Sequence, residues 1–199
     1  MGALLALSEA VEACDPYTRG HSARVARMAY EVGLRLDCDE AELTLLRLGG
    51  ALHDVGKLGV RDDVLNKPGP LTDAELREVR AHPEIGARMV ALDRALRAAL
   101  PAVLYHHERW DGAGYPSGRA GSAIPFVARI LNVVDSYDAM TSNRPYRTAR
   151  PPAAAADEVE RCAGGQFDPE IAHAFLDVWY SGAFSVARTG RAAASARTG

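Results

Sequence analysis

The stretch that decides the fold is RLGGALHDVGKLGV, residues 47–60. His53 and Asp54 stand side by side in an apolar run, and Lys57 follows one helical turn after the histidine. Burying such groups in an apolar setting is costly unless they are paired. A bound species that uses them would remove that cost.

Outward from this stretch the chain reads as helices. A first helix is expected over about 3–13, ended by Asp15-Pro16. A second runs over about 19–36, with Val25, Met28, Ala29, Val32 and Leu36 at helical spacing. A third covers about 39–54, with Asp39 as its N-cap. KPGP at 67–70 is a turn, and Thr72 with Glu75 makes a capping box. Pro83 places a helix break at His82. A helix through LPAVLYHHE and a long glycine-rich loop follow, then helices over about 125–141, 152–162 and 169–180. No alternating strand pattern stands out. The arginine-bearing tail SVARTGRAAASARTG, residues 185–199, has low complexity and is expected to be disordered.

With 199 residues, the chain fits one domain, set at 1–182 with a tail at 183–199. A net charge of −3 argues against a nucleic-acid polymer bound by bulk charge. No apolar run approaches the ~18 residues of a membrane span, so no membrane partner is expected. The start MGALLALSEAVEACD carries Glu9 and Glu12 and no basic segment, which reads as an amphipathic helix rather than a signal peptide. Cys14, Cys38 and Cys162 are odd in number and scattered, as expected of reduced thiols in a cytoplasmic protein.

The histidines are more informative. Five of the six, His21, His53, His82, His106 and His107, fall near starts, ends or breaks of different expected helices. Any one of them alone reads as an ordinary core or surface residue. Adjacent imidazoles such as His106-His107 rarely benefit a fold, because both need partners when buried. Imidazoles and carboxylates without thiolates suit iron, manganese, zinc or cobalt. His53 and Asp54 differ by about 100° around a helix, so they fit two adjacent ions bridged by the carboxylate better than one. Asp135 follows an apolar run on a core helix, and a metal ion or a salt bridge would account for it equally well.

These segments together resemble the HD-GYP domain, a branch of the metal-dependent HD phosphohydrolases. The resemblance rests on DPYTRGHSARVA, ALHDVGKLGV, LNKPGPLT, HPEIGARM, HHERWDGAGYP, RILNVVDSYDAMTSNRPYR and GGQFDP, in this order over about residues 5–180. It implies an all-α fold, a single HD-type helical bundle domain with a binuclear metal site. By motif, His21, His53, Asp54 and Asp135 would hold one ion. Asp54, His82, His106 and His107 would hold the second, with Asp54 bridging, and His173 would be an ordinary helix residue. Members with a third metal carry a glutamate where this chain has Tyr17, so two ions are expected. The resemblance implies iron, with manganese as the alternative. It implies hydrolysis of cyclic di-GMP to pGpG, and in many members on to GMP. Another cyclic dinucleotide as substrate, or a non-catalytic sensor or adaptor, are the competing readings. A second departure is Arg61, where relatives commonly have proline.

Lys57 lies at i+4 from His53, hence on the same helical face, where its ammonium could bind a phosphate oxygen or stabilise a leaving alkoxide. Spacing alone also fits a surface lysine snorkelling to solvent. Gly56 is read as leaving room for substrate. Arg144 and Arg147 in TSNRPYR resemble a second grip on phosphate, the bland alternative being a surface ion pair with DEVE. Asp138 suits an orienting role rather than direct ligation. In WDGAGYP, Gly112 and Gly114 permit unusual backbone angles. This GYP loop would shape the cleft and offer a surface to partner signalling proteins. Trp110 and Tyr115 are expected to pack under it. A homodimer through the first helix is left open.

Overall fold

The computed structural model describes residue 10, residues 20–143 and residues 148–184. The first expected helix, Tyr17, Arg144, Arg147 and the tail from 185 onward lie outside the described residues.

Among the described residues the chain is helical and forms no strand, only an isolated bridge between Ala163 and Phe167. Helix α1 (His21–Arg35) buries Val25, Met28, Ala29 and Val32, the stripe its sequence predicts. Helix α2 (Glu40–Leu52) begins at a capping box in which the Asp39 side chain accepts from Glu42 N and Glu42 accepts from Asp39 N. It stops at Leu52, two residues short of the expected end, and a 3-10 helix (Val55–Gly59) and a one-turn helix α3 (Asp62–Leu65) follow. Helix α4 (Asp73–Arg80) starts at the expected Thr72–Glu75 box. The break falls at Ala81, and α5 (His82–Ala91) starts at His82 with Pro83 in its first turn. Proline lacks only an N–H that the first turn does not use, so it starts this helix rather than ending the previous one. Then come α6 (Leu100–Tyr105), α7 (Phe126–Thr141), α8 (Pro152–Arg161) and α9 (Pro169–Tyr180).

Helix α7 is the spine. Ile130, Leu131, Val133 and Val134 are fully buried on successive faces, which marks a helix enclosed all round. Leu46 of α2, Phe175 of α9 and Val159 of α8 pack in the same core. A smaller cluster of Leu52, Val55, Val90, Ala99 and Val103 joins the end of α2 to α5 and α6. The two clusters leave the ends of α1, α2, α5 and α6 gathered around the middle of α7.

Candidate metal centre

Helix ends supply most of the site. His21 opens α1, His53 and Asp54 follow α2, His82 opens α5, and His106 and His107 close α6. Asp135 alone comes from within a helix, two turns into α7. A chain that turns at a helix end can aim a side chain inward without breaking the helix, so five segments converge.

Two groups result. Ligand atoms of Asp54, His82, His106 and His107 lie within 4.8 Å of one another, and so do those of His21, His53 and Asp54. Asp54 belongs to both. Its Oδ1 is 3.3 Å from His82 Nε2, while its Oδ2 is 3.5 Å from His53 Nε2 and 3.8 Å from His21 Nε2. One carboxylate thus turns one oxygen to each group. Asp135 Oδ1 joins the group of His21, His53 and Asp54, 3.2 Å from His21 Nε2 and 3.8 Å from His53 Nε2. His173 is exposed on α9.

The hydrogen bonds behind the imidazoles fix their tautomers. His53 Nδ1 donates to Gly50 O at 3.0 Å, His82 Nδ1 to Val79 O at 2.8 Å and His106 Nδ1 to Val103 O at 2.8 Å. A carbonyl only accepts, so each Nδ1 carries a proton and each ring turns its Nε2 inward. His21 Nδ1 likewise faces Asp138 Oδ2 at 2.7 Å, and Arg24 holds that carboxylate at 2.6 and 2.9 Å. Inside, His82 Nε2 faces His106 Nε2 at 3.2 Å, and His21 Nε2 faces His53 Nε2 at 3.2 Å. Two bare Nε2 atoms at that distance repel unless a proton or a metal ion lies between them. The donor set of imidazole nitrogen and carboxylate oxygen, each ring braced from behind, fits divalent transition metals.

Charge balance agrees. Burial, with neighbouring imidazoles, holds His106 well below its ordinary pKa, burial lowers His82, and burial takes His107 down to about 4. These rings are neutral. Burial opposes ionisation of Asp54, yet Lys57 and the surrounding histidines hold its carboxyl well below the usual range. Asp135 is held low against the same burial cost by His21 and His53. His21 is the exception: burial lowers it, but Asp135 and Asp138 outweigh this and raise it to about 9. A proton on His21 answers the same demand for positive charge that an ion would.

Several expectations change in detail. Lys57 is not one α-helical turn from His53, because α2 has already ended. It sits in the 3-10 helix and pairs with Asp54 Oδ2 at 2.6 Å, three residues back. Gly56 makes room for backbone rather than substrate: a Cβ there would lie 1.9 Å from His82 O and 2.5 Å from Gly86 N. Gly112 has φ of 79°, as its expected role requires, but Gly114 is needed for close approach, since a Cβ would meet Arg109 N at 2.3 Å. Tyr115 stacks on His107 with ring centroids 4.8 Å apart, and its N–H donates to His107 O at 3.2 Å. Arg61 is exposed and pairs with Glu78.

Three supporting residues had escaped notice. Arg24 stands three residues after His21 on α1, a spacing that could have signalled a shared partner. Asn132 of α7 donates to both His106 O (2.9 Å) and Glu108 O (3.1 Å), and its Oδ1 is buried without a partner among the described residues. Buried Glu108 accepts from Ser117 N (2.7 Å) and Arg119 N (3.1 Å) and so holds the glycine-rich loop. No sequence pattern marks either. A cleft of about 620 Å³ opens over the cluster, lined in part by Lys57, Arg80, His82, His107, Tyr115 and Asp135.

The HD domain family model matches residues 6–171. A cyclic di-GMP phosphodiesterase of Pseudomonas aeruginosa is 42% identical over 177 residues, 87% of this chain and 42% of that protein. The 3'3'-cGAMP-specific phosphodiesterase 3 of Vibrio cholerae is 38% identical over 165 residues, 83% of this chain and 36% of that protein. The chain therefore spans less than half the length of these relatives. A crystal structure of a cyclic GMP-AMP-specific phosphodiesterase of V. cholerae superposes with a TM-score of 0.75 at 19% identity, covering 95% of this chain and 50% of that one, which is a likeness of fold. The chain belongs to the HD domain family, in the HD-GYP branch whose motifs it carries.

Proposed function

We propose that this chain is a metal-dependent phosphodiesterase that hydrolyses cyclic di-GMP to pGpG, with GMP as a further product. The observation that carries the reading is the pair of Nε2–Nε2 contacts at 3.2 Å, held inward by rings whose Nδ1 atoms are tied outward. His21, His53, Asp54 and Asp135 would hold one ion, and Asp54, His82, His106 and His107 the other, iron or manganese in each. Two such ions supply positive charge for phosphate oxygens and acidify water for attack. Around them the protein positions and neutralises. Asp54 would hold both, turning Oδ1 toward His82 and Oδ2 toward His53 and His21. Lys57, in the cleft wall, contacts an oxygen of the reacting phosphate, and Arg144 and Arg147 grip the same group. Asp138 with Arg24 orients His21, and Tyr115 steadies His107.

A cyclic GMP-AMP dinucleotide is the second reading, favoured by the 38%-identical relative with that specificity. An adaptor that binds without cleaving is less well supported, because ligand atoms of Asp54, His82, His106 and His107, and of His21, His53 and Asp54, lie within 4.8 Å of one another. The protein would work in the cytoplasm, with the GYP loop open to partner proteins, and no helix among the described residues is long and apolar enough to cross a membrane. The test is incubation of anaerobically purified chain with ferrous or manganous ion and each cyclic dinucleotide, with chromatography of the products. pGpG from cyclic di-GMP supports the leading reading. Selective loss of cyclic GMP-AMP supports the second, and binding without product in any metal supports the adaptor.

A further inference from the structure

A cyclic dinucleotide carries two phosphodiesters, and only one reacts at a time. The other keeps its charge and lies elsewhere in the cleft, where it needs a cation. Among the described residues, Lys57, Arg80 and Arg109 are the Lys and Arg side chains that line this cleft. Lys57 is paired with Asp54 at 2.6 Å. Arg109 is clamped by Asp111, with Nη2 2.6 Å from Oδ2 and Nε 3.0 Å from Oδ1. Arg80 has no carboxylate partner among the described residues. It ends α4, exposed at the cleft edge, two residues before His82. Its guanidinium lies 5.3 Å from the centre of the Tyr115 ring, which is itself stacked on His107 at 4.8 Å. Attraction to a ring face uses the positive charge and none of the five N–H donors. A column of His107, Tyr115 and Arg80 thus runs from the metal cluster to the cleft edge and ends in an uncommitted donor fork.

We propose that Arg80 anchors the second, non-reacting phosphate of the cyclic dinucleotide, with Tyr115 as its platform. This rests on the phosphodiesterase reading above and assigns Arg80 a different phosphate from that held by Lys57, Arg144 and Arg147. Bis(p-nitrophenyl) phosphate separates the two roles, because it offers one reacting diester and no second phosphate. The experiment measures kcat and KM of the manganese-loaded chain on cyclic di-GMP and on this monodiester, alongside bound manganese. Arg80→Ala is expected to raise KM for the dinucleotide about tenfold with little change in kcat, the scale of one charge-assisted hydrogen bond. The ratio of the two kcat/KM values falls by the same factor, while bound manganese stays constant. Arg80→Lys recovers much of the ratio, since a point charge still meets phosphate. Arg88→Ala, an exposed α5 arginine that does not line the cleft, leaves the ratio unchanged. Equal losses on both substrates, an unchanged KM for the dinucleotide, or loss of manganese in Arg80→Ala overturn the anchor. If the unmodified chain cleaves the monodiester but no cyclic dinucleotide, the function proposed above fails first and the anchor with it. If it cleaves cyclic GMP-AMP instead, the same ratio is read with that substrate.

Discussion

Asp54→Asn tests the bridging arrangement while keeping the side chain's shape. In the native chain Oδ1 faces His82 at 3.3 Å, and Oδ2 faces His53 and His21 at 3.5 and 3.8 Å. An amide can give its oxygen to one group only, and its NH2 faces the other with protons where an ion should be. The substitution also removes one negative charge that both ions would share. Unit charges about 4 Å apart interact by about 4 kcal/mol at an effective dielectric near 20, and a divalent ion loses more. A deficit of about 4 kcal/mol is roughly three decades in affinity. The fold should survive, because Asp54 makes no side-chain cap bond to its 3-10 helix. Bound metal, measured by elemental analysis after anaerobic dialysis, is expected to fall from two ions per chain to one or none. Hydrolysis is expected to fall at least ~10³-fold, with the far-UV circular dichroism unchanged. Two retained ions, or activity within about tenfold of the native chain, would falsify the bridge.

Asp138→Asn leaves an acceptor for His21 Nδ1 but deprives Arg24 of its ionic partner, so metal affinity should drop about 10- to 100-fold, read by competition with a chelating dye. Gly56→Ala drives a methyl into His82 O and Gly86 N, so the loop must shift. It should cost about 1–3 kcal/mol in urea denaturation and also lower metal content by displacing His82, whereas unchanged stability would contradict that packing. His21 gives a pH signature in chelated protein. Its folded pKa of about 9 exceeds the ordinary 6.5, so between those values the folded state keeps a proton that the unfolded state has released. That contribution is complete below about 6.5 and fades as pH rises through about 9, so the melting temperature of chelated protein should fall across this window. Metal-loaded protein, in which an ion replaces that proton, should lack the decline.

The parts of the fold legible in the sequence were those governed by local rules. Asp39 and Thr72 cap α2 and α4 as their spacing predicts, because a capping box is decided within four residues. The span of α7 follows from an apolar run with turn residues on both sides. The 3-10 helix at Val55–Gly59 was not legible: one turn has little propensity of its own, and this one exists because Gly56 lets α5 close on it. That turn also reassigned Lys57 from a helical neighbour of His53 to a partner of Asp54. At the site, motif order named the imidazoles, but residue chemistry alone left Asp135 divided between metal and salt bridge. The structure explains the tie, since Asp135 faces a raised His21 and would serve either cation. Tyr115, Asn132 and Glu108 act through loop geometry and backbone carbonyls, which no residue spacing encodes.

The outward hydrogen bonds of the histidines explain why the site sits at helix ends. A carbonyl three residues back is available to His53, His82 and His106 because the last turn of a helix leaves its carbonyls without backbone partners. The same bond that satisfies this carbonyl fixes the tautomer and turns the other nitrogen inward. Helix termination and ligand orientation are thus one interaction, used at three places. The cost falls on His82 and His106, whose inward nitrogens face each other at 3.2 Å on neutral rings at most 1% exposed. Lone pairs held this way destabilise the fold until a cation arrives, so much of the free energy of ion binding must appear as folding stability. The precision that would let the cluster hold two ions and the strain of holding it without them have one origin, the bracing carbonyls of α2, α4 and α6.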